Sequence, residues 1–311
     1  MAFMTEQPID SSIPTSEISE RDVYTSAGVG ASILEYLHAC PICTAKELKH
    51  YCRVPSLFNE GEFIRYERCL SCGIVFRNPR LTASYREDRY VEGSLSPSDI
   101  LLPEGNQVHY RYMMKRLQKY FPSGTGRRLL DFGCGSGGFL LEARASGFDP
   151  MGLELNRALA EYVNEELGIE TYQGLITDPE FAGEKFNIVI SSQVFEHLVD
   201  PRATLVEIRD HLISPGLILI EVPNLRHIKE RLRRGAVMDD SHLFYFSASS
   251  LPKLLRACGF DVLEIQEGLR PYRVLKDYDL RLPQWFHTSG QNVLSALQIK
   301  TGLSVLAQLR T

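Results

Sequence analysis

The stretch Arg128-Leu-Leu-Asp131-Phe-Gly133-Cys-Gly135-Ser-Gly137-Gly138 decides the fold of this 311-residue chain. A short apolar run ends on an acid, three glycines alternate, and Phe139-Leu140-Leu141 then opens a helical pattern that runs to about Ser146. Glycine permits a tight turn and lets backbone approach a ligand closely, and the helix behind the turn presents unpaired N–H groups. A dinucleotide site would space its glycines Gly-x-Gly-x-x-Gly, to seat a pyrophosphate on the helix N-terminus. Here the spacing is Gly-x-Gly-x-Gly behind an acid, which disfavours phosphate and suits a cationic or hydroxyl-bearing ligand. A second acid, Glu154, closes the next strand 23 residues after Asp131. A carboxylate accepts two hydrogen bonds at once, as a ribose diol requires.

Working outward, the same strand–turn–helix alternation continues. Met151–Glu154, Ile169–Leu175, Phe186–Ser191, Leu217–Val222 and Phe260–Gln266 read as strands. Helices are predicted over 157–167, 203–212 and 250–258, and an earlier one over 106–121, where Tyr110, Met113, Met114, Leu117 and Tyr120 recur at helical spacing. Strands alternating with helices imply crossover units and an α/β, doubly wound, mostly parallel sheet. In 291–310, Val293, Leu294, Leu297, Leu303, Leu306 and Leu309 follow a loosely helical pattern. The predicted organisation is a flexible leader at 1–30, a small β-rich module at 31–105, a ligand-binding α/β domain at 106–270 and a C-terminal extension with a helix at 271–311. Residues 92–105 read as a loop.

Lys plus Arg number 34 against 39 Asp plus Glu, a formal net charge of −5. That balance argues against a protein held on nucleic acid by its overall charge. The longest aliphatic run, Leu217-Ile218-Leu219-Ile220, is far short of the roughly 20 residues that span a bilayer, and no secretory signal is visible. Seven cysteines without such a signal point to reduced thiols and a cytoplasmic location.

Four of those cysteines form two pairs, Cys40-Pro-Ile-Cys43 and Cys69-Leu-Ser-Cys72-Gly73, separated by 25 residues. Two such knuckles can place four thiolates tetrahedrally around zinc, the soft ligand set that zinc favours. The separation slightly exceeds the usual range. A metal held by Cys40, Cys43, Cys69 and Cys72 would be structural, with no open position, and would hold together a zinc-ribbon-like module too small to have much core of its own. Cys52, Cys134 and Cys258 read as packing thiols.

Asp131 to Gly137, Glu154, Phe186-Asn-Ile-Val-Ile, Val194-Phe-Glu196-His197-Leu-Val-Asp-Pro201, Pro215-Gly216 to Pro223-Asn224 and Gly259-Phe260 resemble class I S-adenosylmethionine-dependent methyltransferases, most closely the group acting on small molecules. The resemblance covers about residues 125–267. It implies a Rossmann-like, seven-stranded, mostly parallel sheet with S-adenosyl-L-methionine as cofactor. It further implies that Gly133, Gly135 and Gly137 turn around the methionine part, with Asp131 near its amino group and Gln193 beside it. Glu154 would hold the ribose hydroxyls, and Leu155, Leu175 and Ile176 would flank the adenine.

Methyl transfer to a hydroxyl requires removal of its proton, a task for which histidine is suited near neutral pH. His197, just after the fourth strand, is the first candidate base, and His242 in Ser241-His242-Leu-Phe-Tyr245-Phe-Ser247 the second. In similar enzymes two acids and a histidine at the first position can hold a metal, but Gln193 stands where the first acid would be. His38, His50, His109, His211, His227 and His287 read as surface or packing residues. Residues 224–235 carry Arg226, Lys229, Arg231, Arg233 and Arg234 against Glu230, a local +4 suited to a phosphorylated or nucleotide-linked acceptor. The expectation is O-methylation of a sugar or natural-product intermediate. The rivals are a nucleic-acid methyltransferase that binds through its zinc module, and a cofactor-binding scaffold without turnover. Against the first stands Ser192-Gln-Val-Phe-Glu196, where base methylation usually shows Asn/Asp-Pro-Pro-Tyr/Phe; against the second stand an intact His197 and a complete glycine turn.

Overall fold

The computed structural model describes residues 34–55, 63–82, 107–226, 242–268 and 302–310. The leader, the 92–105 loop, His227, His287 and most of the basic stretch lie outside these residues.

The α/β domain opens with helix α1 (Gln107–Gln118), whose Met113, Met114 and Leu117 are buried. Strand β6 (Arg128–Phe132) leads through the glycine turn into α2 (Gly138–Ala145), then β7 (Asp149–Glu154), α3 (Arg157–Glu165), β8 (Thr171–Gln173), β9 (Phe186–Ser192), α4 (Pro201–Asp210) and β10 (Leu212–Pro223). A short strand, β11 (Phe244–Tyr245), precedes α5 (Ser250–Ala257), β12 (Phe260–Gly268) and β13 (Gly302–Leu309). Helix starts follow local chemistry. Asn156 Oδ1 accepts from the Leu159 N–H ahead of α3, and Asp200 Oδ1 accepts from the Arg202 and Ala203 N–H groups ahead of α4, which has Pro201 in its first turn.

The central sheet has seven strands in the order β12-β13-β10-β9-β6-β7-β8. Strands β8, β7, β6, β9 and β10 pair in parallel, and β13 pairs antiparallel with both β10 and β12. The order reverses between β6 and β9, so the crevice beyond the carboxyl ends of these two strands is where such a sheet takes a ligand. The C-terminal helix expected from the spacing of Leu303, Leu306 and Leu309 is not what forms there: 302–309 is β13, inserted between β10 and β12. Residues 303 to 307 are all buried, because a central strand is covered on both faces. A continuous apolar run of this kind matches a helix stripe as well as a strand, and only the sheet position separates them. Residues 291–301 lie outside the described residues.

The N-terminal module comprises β1 (Leu34–Glu35), β2 (Leu48–Pro55), β3 (Phe63–Cys69), β4 (Val75–Arg77) and β5 (Arg80–Leu81). Its four-stranded sheet runs β11-β4-β3-β2, so one edge is supplied by the α/β domain. One apolar cluster continues from Ile42, Ile74 and Phe76 in the module to Phe195, Leu205, Phe244 and Leu251. Module and domain therefore share a core.

Candidate active site

Each glycine of the turn has a left-handed backbone: φ is 76° at Gly133, 54° at Gly135 and 76° at Gly137. Two of the three also have no room for a side chain. A Cβ on Gly133 would lie 2.4 Å from Val194 Cγ2, and one on Gly137 would lie 2.8 Å from Leu167 Cδ1. A Cβ on Gly135 would meet nothing within 4 Å. The middle glycine thus faces open space at the crevice, and its neighbours press the turn onto the loop after β9 and onto the helix layer.

The two acids close the rim. Glu154, the last residue of β7, accepts from the Gly135 N–H through Oε2 and from the Asn156 N–H through Oε1, both at 2.9 Å. These bonds tie the turn to the second strand and leave further lone pairs on each oxygen. Asp131 is buried one residue from the end of β6. Burial, and then the neighbouring Glu154 charge, push its carboxyl from an ordinary 3.8 up to about 7. Of the three apolar candidates, Leu155 is half-buried, Leu175 is 39% exposed, and Ile176 belongs to the hydrophobic core. Gln193 stands after β9 in a left-handed conformation with φ 61°, its N–H donated to the Glu221 carbonyl at 2.8 Å.

Past Gln193 the chain turns, with the His197 N–H donated to the Val194 carbonyl at 2.8 Å. The structure brings both candidate histidines together. His197 and His242 have ring centroids 4.7 Å apart, packed edge to face at 71°. Donor atoms of Glu196, His197 and His242 all lie within 4.8 Å of one another, and Glu196 is only 1% exposed. Residues 45 positions apart in sequence meet because Glu196 accepts through its backbone carbonyl from the N–H groups of Leu243 (2.7 Å) and Phe244 (3.0 Å). A histidine pair backed by a buried carboxylate can accept and stabilise a proton.

One pair of residues escaped the sequence reading. His109 on α1, expected to lie at the surface or to pack, is buried, and its Nε2 lies 2.7 Å from Glu221 Oε2. Ser192 Oγ donates to the same oxygen at 3.4 Å. The pair fastens α1 across the ends of β9 and β10, beside Gln193. Its signal was Glu221 itself, an acid within an aliphatic strand, since such an acid is almost never buried without a partner.

The four paired cysteines also meet. Cys40 Sγ lies 3.6 Å from Cys72 Sγ, Cys43 Sγ lies 3.6 Å from Cys69 Sγ, and all four sulfurs fall within 4.8 Å of one another. The two knuckles share one backbone pattern. Thr44 (φ 62°) and Gly73 (φ 83°) both donate N–H to the carbonyl of the first cysteine of their knuckle, at 2.9 and 3.0 Å. Ile42 N–H points to Cys40 Sγ and Cys72 N–H to Cys69 Sγ. Cys52, Cys134 and Cys258 stand apart from this cluster as free thiols.

Strand order and the glycine turn after the first parallel strand together define a Rossmann-like α/β domain. Residues 106–265 match the methyltransferase-domain family model, and the chain belongs to that family. The ubiquinone biosynthesis O-methyltransferase of Cereibacter sphaeroides (strain ATCC 17025) is 38% identical over 101 residues, 30% of this chain and 40% of its own length. The protein of the same name from Azorhizobium caulinodans is 31% identical over 158 residues, 45% of this chain and 61% of its own length. The chain thus spans only about two fifths to three fifths of these relatives. A solved chain from the Haloferax volcanii complex of the Trm112 methyltransferase activator with a methyltransferase shares the fold, with a TM-score of 0.50, 17% identity, and coverage of 67% of this chain and 93% of that one. Among the described residues no helix is long and apolar enough to cross a membrane.

Proposed function

We propose that this protein is an S-adenosylmethionine-dependent O-methyltransferase acting on a hydroxyl of a small molecule, with His197 as the base. The observation that carries this reading is the meeting of Glu196 and His197, in the loop after β9, with His242, just before β11. In this reading the pair supplies the proton acceptor, and the loop that carries Glu196 and His197 also carries Val194, next to Gly133. The names of the relatives, all O-methyltransferases over the matched part, support the oxygen acceptor.

The residues present fit the cofactor. The open space before Gly135 admits its methionine part, Asp131 suits its ammonium group and Glu154 its ribose hydroxyls. When bound, the cofactor supplies an electrophilic methyl group on a sulfonium. In this reading His197 would take up the hydroxyl proton on an imidazole nitrogen, Glu196 would stabilise the imidazolium, and His242 would position the acceptor. Leu155 and Leu175 would flank the adenine, and Gln193 the methionine side.

The cysteine cluster fits zinc. Sulfurs bound at about 2.3 Å around a tetrahedral ion lie about 3.8 Å apart, close to the 3.6 Å seen for two of the pairs. The backbone N–H groups aimed at Cys40 and Cys69 suit thiolates. We assign Cys40, Cys43, Cys69 and Cys72 to a structural zinc.

The acceptor is a phosphorylated or nucleotide-linked sugar or natural-product intermediate in this reading, supported by the basic stretch that directly follows β10. Arg226 is its described member; Lys229, Arg231, Arg233 and Arg234 lie outside the described residues. The test is S-adenosylhomocysteine release with a panel of nucleotide-linked sugars, sugar phosphates, phenols and RNA. His197→Ala should lower kcat about a hundred- to ten-thousandfold with the best acceptor, and His242→Ala should raise KM more than it lowers kcat. Turnover with RNA alone, or full rate in both histidine variants, would overturn the reading.

A further inference from the structure

The cysteine module does more than cap the α/β domain. Its second knuckle ends at Cys72, and three residues later the chain enters β4, which pairs antiparallel with β11: Phe76 opposite Phe244 and Val75 opposite Tyr245. His242 lies two residues before β11. The Arg77 N–H donates to the Leu243 carbonyl at 2.9 Å. Tyr66, at the centre of β3 and wholly buried, donates its hydroxyl to the backbone carbonyl of His242 at 3.1 Å. Its ring packs on Tyr245 (centroids 5.3 Å apart), which in turn packs on the His242 ring (5.5 Å). The His197 side is tied to the module too. Arg80 donates to the Val199 carbonyl at 2.7 Å, and Arg202 on α4 donates to the carbonyl of Ile42 inside the first knuckle at 3.2 Å.

Both segments that carry a candidate histidine are therefore held from the module side. Among the described residues, Glu154 bonds to Gly135 and Asn156, and the Gly133 and Gly137 N–H groups bond to the Leu153 and Cys134 carbonyls, all within the α/β domain.

We propose that the four-cysteine module is a positioning element for the histidine pair, and that Tyr66 is the positioning residue through which it sets His242 against His197. This rests on the reading of that pair as the acceptor site. It adds that the metal knuckles govern the geometry of the pair and not cofactor binding. A 1 Å misplacement of a reacting group can cost about 10²-fold in rate, so one buried hydroxyl that fixes a backbone carbonyl matters to such a site.

The test uses the full chain with isotope-labelled histidine, the His197 and His242 imidazole signals being assigned from single His→Gln variants. Rings this close give a through-space cross-peak between them. Tyr66→Phe keeps the ring on Tyr245 and removes only the hydroxyl. Expected are displaced His242 signals and a weakened cross-peak to His197, with zinc content unchanged and the Kd for S-adenosylhomocysteine within about twofold. Zinc withdrawal by a chelator should displace the same signals further while S-adenosylhomocysteine still binds. Unmoved His242 signals and an intact cross-peak in Tyr66→Phe would overturn the proposal. So would an equal displacement at His38 and His50 together with weakened cofactor binding, since that marks general loosening. Neither readout uses an acceptor, so a failed acceptor panel would count against the proposed activity and leave this result standing.

Discussion

The proposed place of Asp131 beside the cofactor's ammonium group makes cofactor binding proton-linked. From an ordinary 3.8 its carboxyl is pushed up to about 7 by burial and by Glu154. At 1.36 kcal/mol per pH unit, ionising it in the ligand-free protein costs about 4 kcal/mol, an upper figure because water and local relaxation reduce it. The sign follows from the folded value lying above the unfolded one. The stability that neutral Asp131 contributes is fully present below about pH 4 and is lost as pH rises through about 7. A ligand ammonium group beside the carboxylate reverses the preference and favours the ionised form. A carboxyl near 7 carries its proton in more of the ligand-free protein at about pH 6 than at about pH 8, so binding should release more protons at the lower pH. Calorimetry with S-adenosylhomocysteine in buffers of different ionisation enthalpy measures this as a slope. Asp131→Asn should abolish the slope at pH 6, weaken binding, and stabilise the ligand-free protein at pH 8. A flat dependence at pH 6 in the native protein, or the same slope in Asp131→Asn, would refute the placement of the ligand's cation at Asp131.

Elemental analysis should find about one zinc per chain, and Cys69→Ser should cost both metal and solubility because binding and folding are coupled; a fully folded, stable, metal-free protein would count against the four-thiolate site. Glu154→Ala should weaken S-adenosylhomocysteine binding roughly ten- to a hundredfold, from about 1.5–3 kcal/mol for a charge-assisted bond. It should also lower the Tm, because the N–H groups of Gly135 and Asn156 lose their acceptor; an affinity within twofold of the native value would show that this acid does not hold the ligand. Gly133→Ala should destabilise the fold, since the new Cβ would run into Val194, whereas Gly135→Ala should leave Tm within a few degrees and lose cofactor affinity. Equal losses of Tm in the two variants would remove the open space before Gly135 from the account.

The parts of this protein legible in its sequence are those whose physics is local. The glycine turn needs positive φ within five residues, and alternating Gly133, Gly135 and Gly137 say so without reference to anything distant. Asp131 and Glu154 end adjacent parallel strands, so a single strand–helix–strand unit suffices to bring them together. The cysteine spacing likewise specifies two like knuckles, and Thr44 takes the same left-handed turn as Gly73, each donating its N–H to the carbonyl of the first cysteine of its pair.

What only the tertiary structure decided depends on segments far apart. The run Leu303 to Ala307 became a strand and not a helix turn because β10 and β12 offer unpaired backbone on both sides, and an apolar run buried on both faces has no period to reveal that. His109 looked like any helical histidine until the sheet placed Glu221 against it. The sharpest case is the histidine pair. Glu196-His197 and His242 are separate candidates in sequence, and they come together where the Leu243 and Phe244 N–H groups bond to the Glu196 carbonyl and the two rings pack edge to face. Residue types name the chemistry available, but the distance between two side chains belongs to the backbone pairing that carries them, and that pairing is settled only when the whole core closes.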